Sequence, residues 1–192
     1  MNEKTLYPLS VGVEAAGNMI DLLRPACRRV EIAGSVRRGR PLVHDVDLVV
    51  WPEYEIVEAV VQLTFFIREH KPTYVPTQLL HLARKLGWPE WADTWPGIIR
   101  IPASEESDLA VERIPIELYV CEPDGGNFEA LLQMRTGSAE YNIRLAKRAQ
   151  ELGLHYVAGH GIFEGDRRVD DGTEAGIWTA LGWEYVPPER RG

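Results

Sequence analysis

The chain has little cysteine, no long apolar run and no surplus of positive charge. Cys27 and Cys121 are the two cysteines in 192 residues. They have neither zinc-like spacing nor the density of a secreted disulfide scaffold, so free thiols in a reducing compartment are expected. No apolar stretch approaches the roughly 20 residues that cross a bilayer. The opening MNEKTLYPLS lacks a basic segment leading into an apolar one, so no signal peptide is expected. The formal net charge of −8 at pH 7 speaks against a protein that simply coats nucleic acid, which is normally basic. It leaves room for an enzyme that grips nucleic acid through a local basic patch or through metal ions. Internal repeats, low-complexity tracts and long linkers are also missing.

What is present suits an ordinary globular chain. Hydrophobic residues make up 45% and charged residues 26%, enough for a core without staples. The length fits one large domain or a domain with a small lobe. Residues 10–26 carry Val13, Ala16, Ile20 and Leu23 at helical spacing, with Ser10 as N-cap and Pro25 as terminator. RRVEIAGS reads as a strand closing in a Gly-Ser turn, and HDVDLVVW as the next strand. Residues 53–70 read as a helix through Ile56, Val60, Leu63 and Ile67, and residues 76–87 as another ending at Gly87. GWPEWADTWPG reads as an irregular loop. IIRIPA and RIPIELYV are strand candidates. TGSAEYNIRLAKRAQELGL is the strongest helix, with the stripe Tyr141, Leu145, Ala149 and Leu152. A short hairpin, a helix near 173–182 and a Pro-rich tail follow. The class this predicts is α+β, a mixed sheet flanked by helices.

The chemistry concentrates in GSVRRGRPLVHDVDLVV, residues 34–50. Asp45 and Asp47 are two apart on a predicted strand, so both carboxylates leave one face. Two anions this close repel each other unless cations neutralise them. Magnesium suits carboxylate oxygens, and two ions about 4 Å apart can clamp the attacking and leaving oxygens of phosphoryl transfer. Glu117 in RIPIELYV is the candidate third acid, if its strand lies beside that of Asp45 and Asp47; Glu112 is the weaker alternative. The bland alternative is a pair of aspartates that solvate a sheet face. Upstream, Gly34 can adopt a positive φ and let a phosphate approach the backbone. Ser35 offers a hydroxyl and N–H, and Arg38 a planar fork for triphosphate oxygens.

Gly34-Ser35-Val36-Arg37-Arg38-Gly39 followed by Asp45-Val46-Asp47 resembles the signature of the nucleotidyltransferase superfamily that includes DNA polymerase beta. Arg135-Thr136-Gly137-Ser138 with Asn142, then Leu181-Gly182-Trp183 and Tyr185-Val186-Pro187-Pro188-Glu189-Arg190, resemble the family X DNA polymerases more closely. The resemblance covers residues 10–51 and 113–190. It implies a polymerase beta-like palm over 1–120 and a small C-terminal lobe contacting nucleotide and template over 121–192. It also implies a chain starting at the palm, without lyase activity.

By the same resemblance, Asp45, Asp47 and Glu117 would hold two Mg2+ or Mn2+ ions, and Ser35 and Arg38 the β- and γ-phosphates. Thr136 and Gly137 would line the sugar, and Asn142 would reach the base. The reaction would join a nucleoside triphosphate to a nucleic-acid 3′-hydroxyl with release of pyrophosphate, on a DNA primer/template. The alternative is a template-independent nucleotidyltransferase acting on RNA ends, a protein or a small molecule. A monomer is expected, in the cytoplasm or, for a viral protein, the host cytoplasm, with no membrane partner. Departures from the family pattern are Glu117 in place of Asp, His44 in place of Gly, and Met134-Arg135 in place of an aromatic pair. His44 abuts the acids and is expected to meet phosphate. Arg144, Lys147 and Arg148 share a helix face and are candidates for DNA-backbone contact, against the plainer reading of cations complementing a helix end. The tryptophans read as core, and DRRVDD as a solvated turn.

Overall fold

The computed structural model describes residues 5–62, 68–88, 98–103 and 114–191. In chain order its elements are β1 (Tyr7–Pro8), α1 (Leu9–Leu23), β2 (Cys27–Ile32), α2 (Gly34–Arg37), β3 (Leu42–Val43), β4 (Val46–Pro52), β5 (Glu55–Gln62), β6 (Arg68–Val75), α3 (Thr77–Lys85), β7 (Ile98–Ile101), β8 (Ile116–Val120), α4 (Phe128–Thr136), α5 (Ala139–Glu151), β9 (His155–Val157), β10 (Gly161–Glu164), β11 (Arg167–Arg168) and α6 (Glu174–Ala180).

The centre is a four-stranded mixed sheet in the order β2-β4-β8-β7. β4 pairs antiparallel with β2 and parallel with β8, and β7 closes the far edge antiparallel. Alternation along β4 splits its side chains between two faces. Val46, Leu48 and Val50 join Ile116, Leu118 and Val120 in a core against Met19 and Leu23 of α1 and Leu79 of α3. Val49 shares the other face with Tyr119 and Cys121, where Phe128 and Leu132 of α4 cover it. Asp47 and Glu117 lie on this second face, at the end of the strands that α4 leaves open. The C-terminal lobe has its own core, in which Tyr141, Leu145 and Ala149 of α5 meet Ile162, Ile177, Trp178 and Leu181.

The mixed sheet flanked by helices is the expected α+β class. Several local expectations differ. Residues 53–70 are predicted helical, yet β5 and β6 pair antiparallel, Glu55 with Val75 through Gln62 with Arg68; Leu63 and Ile67 of that expectation lie outside the described residues. Ile56, Val57, Val60 and Val61 are β-branched, and this local stiffness outweighs a helical spacing that four residues matched by chance. α4 was not anticipated. Its buried residues Phe128, Ala130, Leu132, Gln133 and Thr136 sit on more than one side, because the helix is wedged between sheet and lobe, so no single stripe marks it. Ser10 lies inside α1, and Pro8 holds the N-cap position. Leu152 is 42% exposed and drops out of the α5 stripe.

In the DRRVDD segment Asp166, Arg167 and Asp171 are exposed as expected, but the stretch between them is built into the lobe. Asp170 accepts from the Ile162 and Gly172 N–H groups and pairs with Arg168. Of the tryptophans, Trp88 and Trp178 are buried and Trp183 packs on the lobe core; Trp91 and Trp95 lie outside the described residues, as does Glu112. Among the described residues no helix is long and apolar enough to cross a membrane.

Candidate active site

The parallel register of β4 and β8 sets Asp47 directly opposite Glu117, and the β7–β8 register sets Arg100 opposite Glu117 on its other side. The three side chains therefore form a row across the sheet. Asp45 stands one residue ahead of β4 rather than on it. β1 and β3 clip this approach segment to the N-terminus, pairing Tyr7 with Val43. His44 Nδ1 donates to the Thr5 carbonyl at 3.0 Å, so the histidine fastens the segment that carries Asp45.

Like charge and burial mark the acids electrostatically. Burial and the Asp45 charge push the Asp47 carboxyl up to about 6, with Glu117 adding to the effect and Tyr119 and Arg135 opposing it. Glu117 behaves differently. Burial works to raise its pKa, but Tyr119 and Arg100 outweigh that and hold it below the ordinary glutamate value. The Tyr119 hydroxyl donates to Glu117 Oε2, and Arg100 Nε donates to Oε1 at 2.9 Å. The Arg135 guanidinium lies 3.7 Å from the Tyr119 ring centre and steadies the phenol from behind. Tyr119 and Arg100 are not singled out in the sequence, and Arg135 is noted only within the Arg-Thr-Gly-Ser motif and as a departure from the family's aromatic pair. Their signal was the strand pairing and the α4 packing, neither visible in residue spacing.

The Gly-Ser turn folds as the short helix α2, tied to β4 by the Ala33 N–H to Asp47 carbonyl bond of 2.8 Å. Gly34 has φ +60°, and a Cβ there would stand 1.8 Å from Asp47 Oδ2. Only a residue without a side chain seats this carboxylate. Ser35 is half-buried on the same turn. Arg37 is spent on structure. It forms a two-pronged pair with Glu174 at 2.8 and 2.9 Å and reaches Thr136 Oγ1 at 2.6 Å. Arg38 donates to the Thr136 carbonyl, while its buried Nε has no partner among the described residues. Burial and the nearby Arg40 lower the Arg38 pKa. An orphaned guanidinium N–H in a field of neighbouring cations is the chemistry an anionic ligand satisfies.

The Thr-Gly-Ser turn arrives beside α2 from the lobe. Thr136 is fully buried, Gly137 has φ +64°, and the Ser138 N–H donates to the Arg191 carbonyl at 3.2 Å. Asn142 is engaged at both ends of its amide. It donates to the Met134 carbonyl at 2.7 Å and accepts from Gln133 Nε2 at 3.0 Å. The three candidate cations of α5 part company. Arg148 binds the Leu181 carbonyl and Glu151, Arg144 leans over Tyr141 and Trp183, and Lys147 is exposed.

Carboxylate oxygens are the donors that magnesium and manganese take, and the repulsion that raises Asp47 is what a cation would relieve. Asp45, Asp47 and Glu117 thus fit divalent ions by chemistry. Among the described residues no three Asp, Glu, His or Cys side chains converge as a ready cluster; Glu117 is instead held by Arg100 and Tyr119. Both thiols are chemically quiet, since burial pushes Cys27 and Cys121 up to about 12.

Residues 131–192 match the family model of the DNA polymerase beta thumb. Solved structures agree over a longer span. The chain is similar to Leishmania infantum polymerase beta in a ternary P/T complex, with TM-score 0.64 and 18% identity, covering 98% of this chain and 77% of that one. It is similar also to the same polymerase in a ternary gap complex, with TM-score 0.63 and 17% identity, covering 97% and 71%. No curated protein sequence matches. Residues 131–192 are thus similar to a DNA polymerase beta thumb, and the chain as a whole has the polymerase beta fold.

Proposed function

We propose that the chain is a nucleotidyltransferase that joins a nucleoside triphosphate to a nucleic-acid 3′-hydroxyl, working as a compact family X DNA polymerase on primed or gapped DNA. The observation that carries this reading is the register of Asp47 with Glu117 beside a Gly34 turn that has no room for a side chain. The neighbours in ternary P/T and gap complexes favour DNA as acceptor. Residues 1–120 serve as the palm and 121–192 as the lobe that meets nucleotide and template.

Arg38 and Ser35, on the turn above Asp47, hold the triphosphate, and the unpartnered Arg38 Nε takes one of its oxygens. Thr136 and Gly137, joined to the same turn through Arg37 and Arg38, bound the sugar. Asn142 reaches the base by giving up one of its two internal bonds. The acceptor's 3′-oxygen attacks the α-phosphorus and its proton passes to Glu117. The bond from the α-phosphorus to the bridging β-oxygen breaks, and pyrophosphate leaves with the electron pair. Asp45, Asp47 and Glu117 would hold two magnesium or manganese ions, which supply charge neutralisation for the attacking and leaving oxygens. The protein's own share is positioning and exclusion of competing geometry.

The test is incorporation on a labelled primer with and without template, with each deoxy- and ribonucleoside triphosphate and Mg2+ or Mn2+. Template-matched extension by the wild type, lost in Asp47→Asn, is expected. Extension indifferent to template would replace the reading with terminal transfer, and no incorporation under any condition would overturn it.

A further inference from the structure

The acid row has two sides, and only one of them is used by the Gly34 turn. On the other lies a cavity of about 520 Å3 whose walls include His44, Asp45, Arg100, Ile101, Pro115 and Glu117. Gly34, Ser35 and Arg38 do not line it. In-line displacement needs the attacking oxygen opposite the leaving group, so a triphosphate on the Gly34 side calls for an acceptor on the cavity side. Ile101 and Pro115 give the cavity an apolar floor suited to a sugar. Among its described lining residues Arg100 is the one lysine or arginine.

We propose that Arg100 binds the phosphodiester at the acceptor's 3′ end and, in doing so, releases Glu117 to complete the acid site. The inference rests on the nucleotidyl transfer proposed above. Arg100 now spends its Nε on Glu117, and its side chain is 69% exposed against 26% for the glutamate. An ion pair this open to water contributes little, so it exchanges readily. The guanidinium's planar fork matches a phosphate's oxygens better than a single prong on one carboxylate oxygen. Handing Arg100 to the acceptor leaves Glu117 held by Tyr119 alone, so that its carboxylate is free to turn toward Asp45 and Asp47. The third carboxylate would then assemble only when a strand end is in place, which discourages idle hydrolysis of the triphosphate.

Two measurements test this on Arg100→Gln and Arg100→Lys, with melting temperature checking that each exposed-site variant keeps the fold. Affinity for a dye-labelled primed duplex, read by anisotropy, should fall about tenfold in Arg100→Gln and recover in part in Arg100→Lys, as one charge-assisted phosphate contact demands. Mn2+ binding in the absence of DNA, read by calorimetry, should move the opposite way and tighten about threefold in Arg100→Gln, the worth of an exposed ion pair. A purely structural arginine would weaken both. Unchanged duplex affinity, or Mn2+ binding unchanged or weakened, overturns the inference. Wild-type incorporation on the same duplex reads the underlying function separately, since the two binding measurements do not depend on turnover.

Discussion

A Cβ on Gly34 would stand 1.8 Å from Asp47 Oδ2, so glycine and aspartate are fitted to each other rather than to the ligand alone. The motif's glycine can be read as leaving room for a phosphate. It leaves room for a carboxylate first, and the backbone bond between Ala33 and Asp47 locks the two segments at that distance.

Gly34→Ala should therefore fail on two counts, a positive φ and a collision. A loss of about 1–3 kcal/mol in stability is expected, with incorporation lost because Asp47 is displaced. Urea denaturation beside a primer-extension assay checks both. Stability and activity within error of wild type would contradict the fit.

Asp47 predicts an unusual pH response. Its folded carboxyl titrates near 6, above its ordinary 3.8, so the folded state binds the proton more tightly than the unfolded one. Stability without divalent ions should fall as pH rises from about 4 to about 6 on this account, and the loss is complete above that window. Glu117, lowered in the fold, contributes in the opposite sense, so comparison with Asp47→Asn isolates the effect. That variant should be more stable than wild type at pH 7.5 by about 1–2 kcal/mol, and should respond less to added Mg2+. Equal melting temperatures across pH 4–8 would count against it.

Glu174 is a buried acid that joins α2 to the C-terminal segment. It receives Arg37 and the fully buried Arg191, and the Tyr185 hydroxyl at 3.3 Å. Glu174→Gln keeps the shape but leaves two guanidinium groups short of a counter-charge. A cost of about 3–5 kcal/mol is expected for such an uncompensated buried pair, read by chemical denaturation. A loss below about 1 kcal/mol would show that the pairing is not structural.

Tyr119→Phe removes the hydroxyl that orients Glu117 and leaves the ring under Arg135. The fold should persist. The rate of incorporation should drop about tenfold with little change in nucleotide KM, the pattern of a group acting through the third acid. An equal rise in KM with an unchanged rate would instead assign Tyr119 to nucleotide binding.

Legibility in the sequence followed the range of the interaction. The Gly34–Arg38 turn was readable because turn chemistry acts over a few residues, whereas strand alternation placed Asp47 but not Asp45, which stands ahead of β4. Glu117 stands out by its isolation in an apolar run, but its register with Asp47 needed the parallel pairing of two strands some seventy residues apart in sequence. Arg100, Tyr119 and Arg135 acquire their roles only from that pairing and from α4, whose burial on several sides hides its period. The helix expected at 53–70 failed because a helical spacing of apolar residues also occurs in a strand pair rich in β-branched side chains. Arg37 and Arg38 look equivalent in the motif, yet the lobe claims one through Glu174 and leaves the other with an unpartnered N–H.

The quiet thiols have a practical side. With the pKa of both Cys27 and Cys121 pushed up and Cys121 buried, maleimide chemistry at neutral pH meets little native competition. A single cysteine placed at exposed Ile143 on α5 could carry a fluorophore without first stripping the protein of its own sulfur. Any change at α5 on adding primed DNA could then be followed in the otherwise unaltered chain.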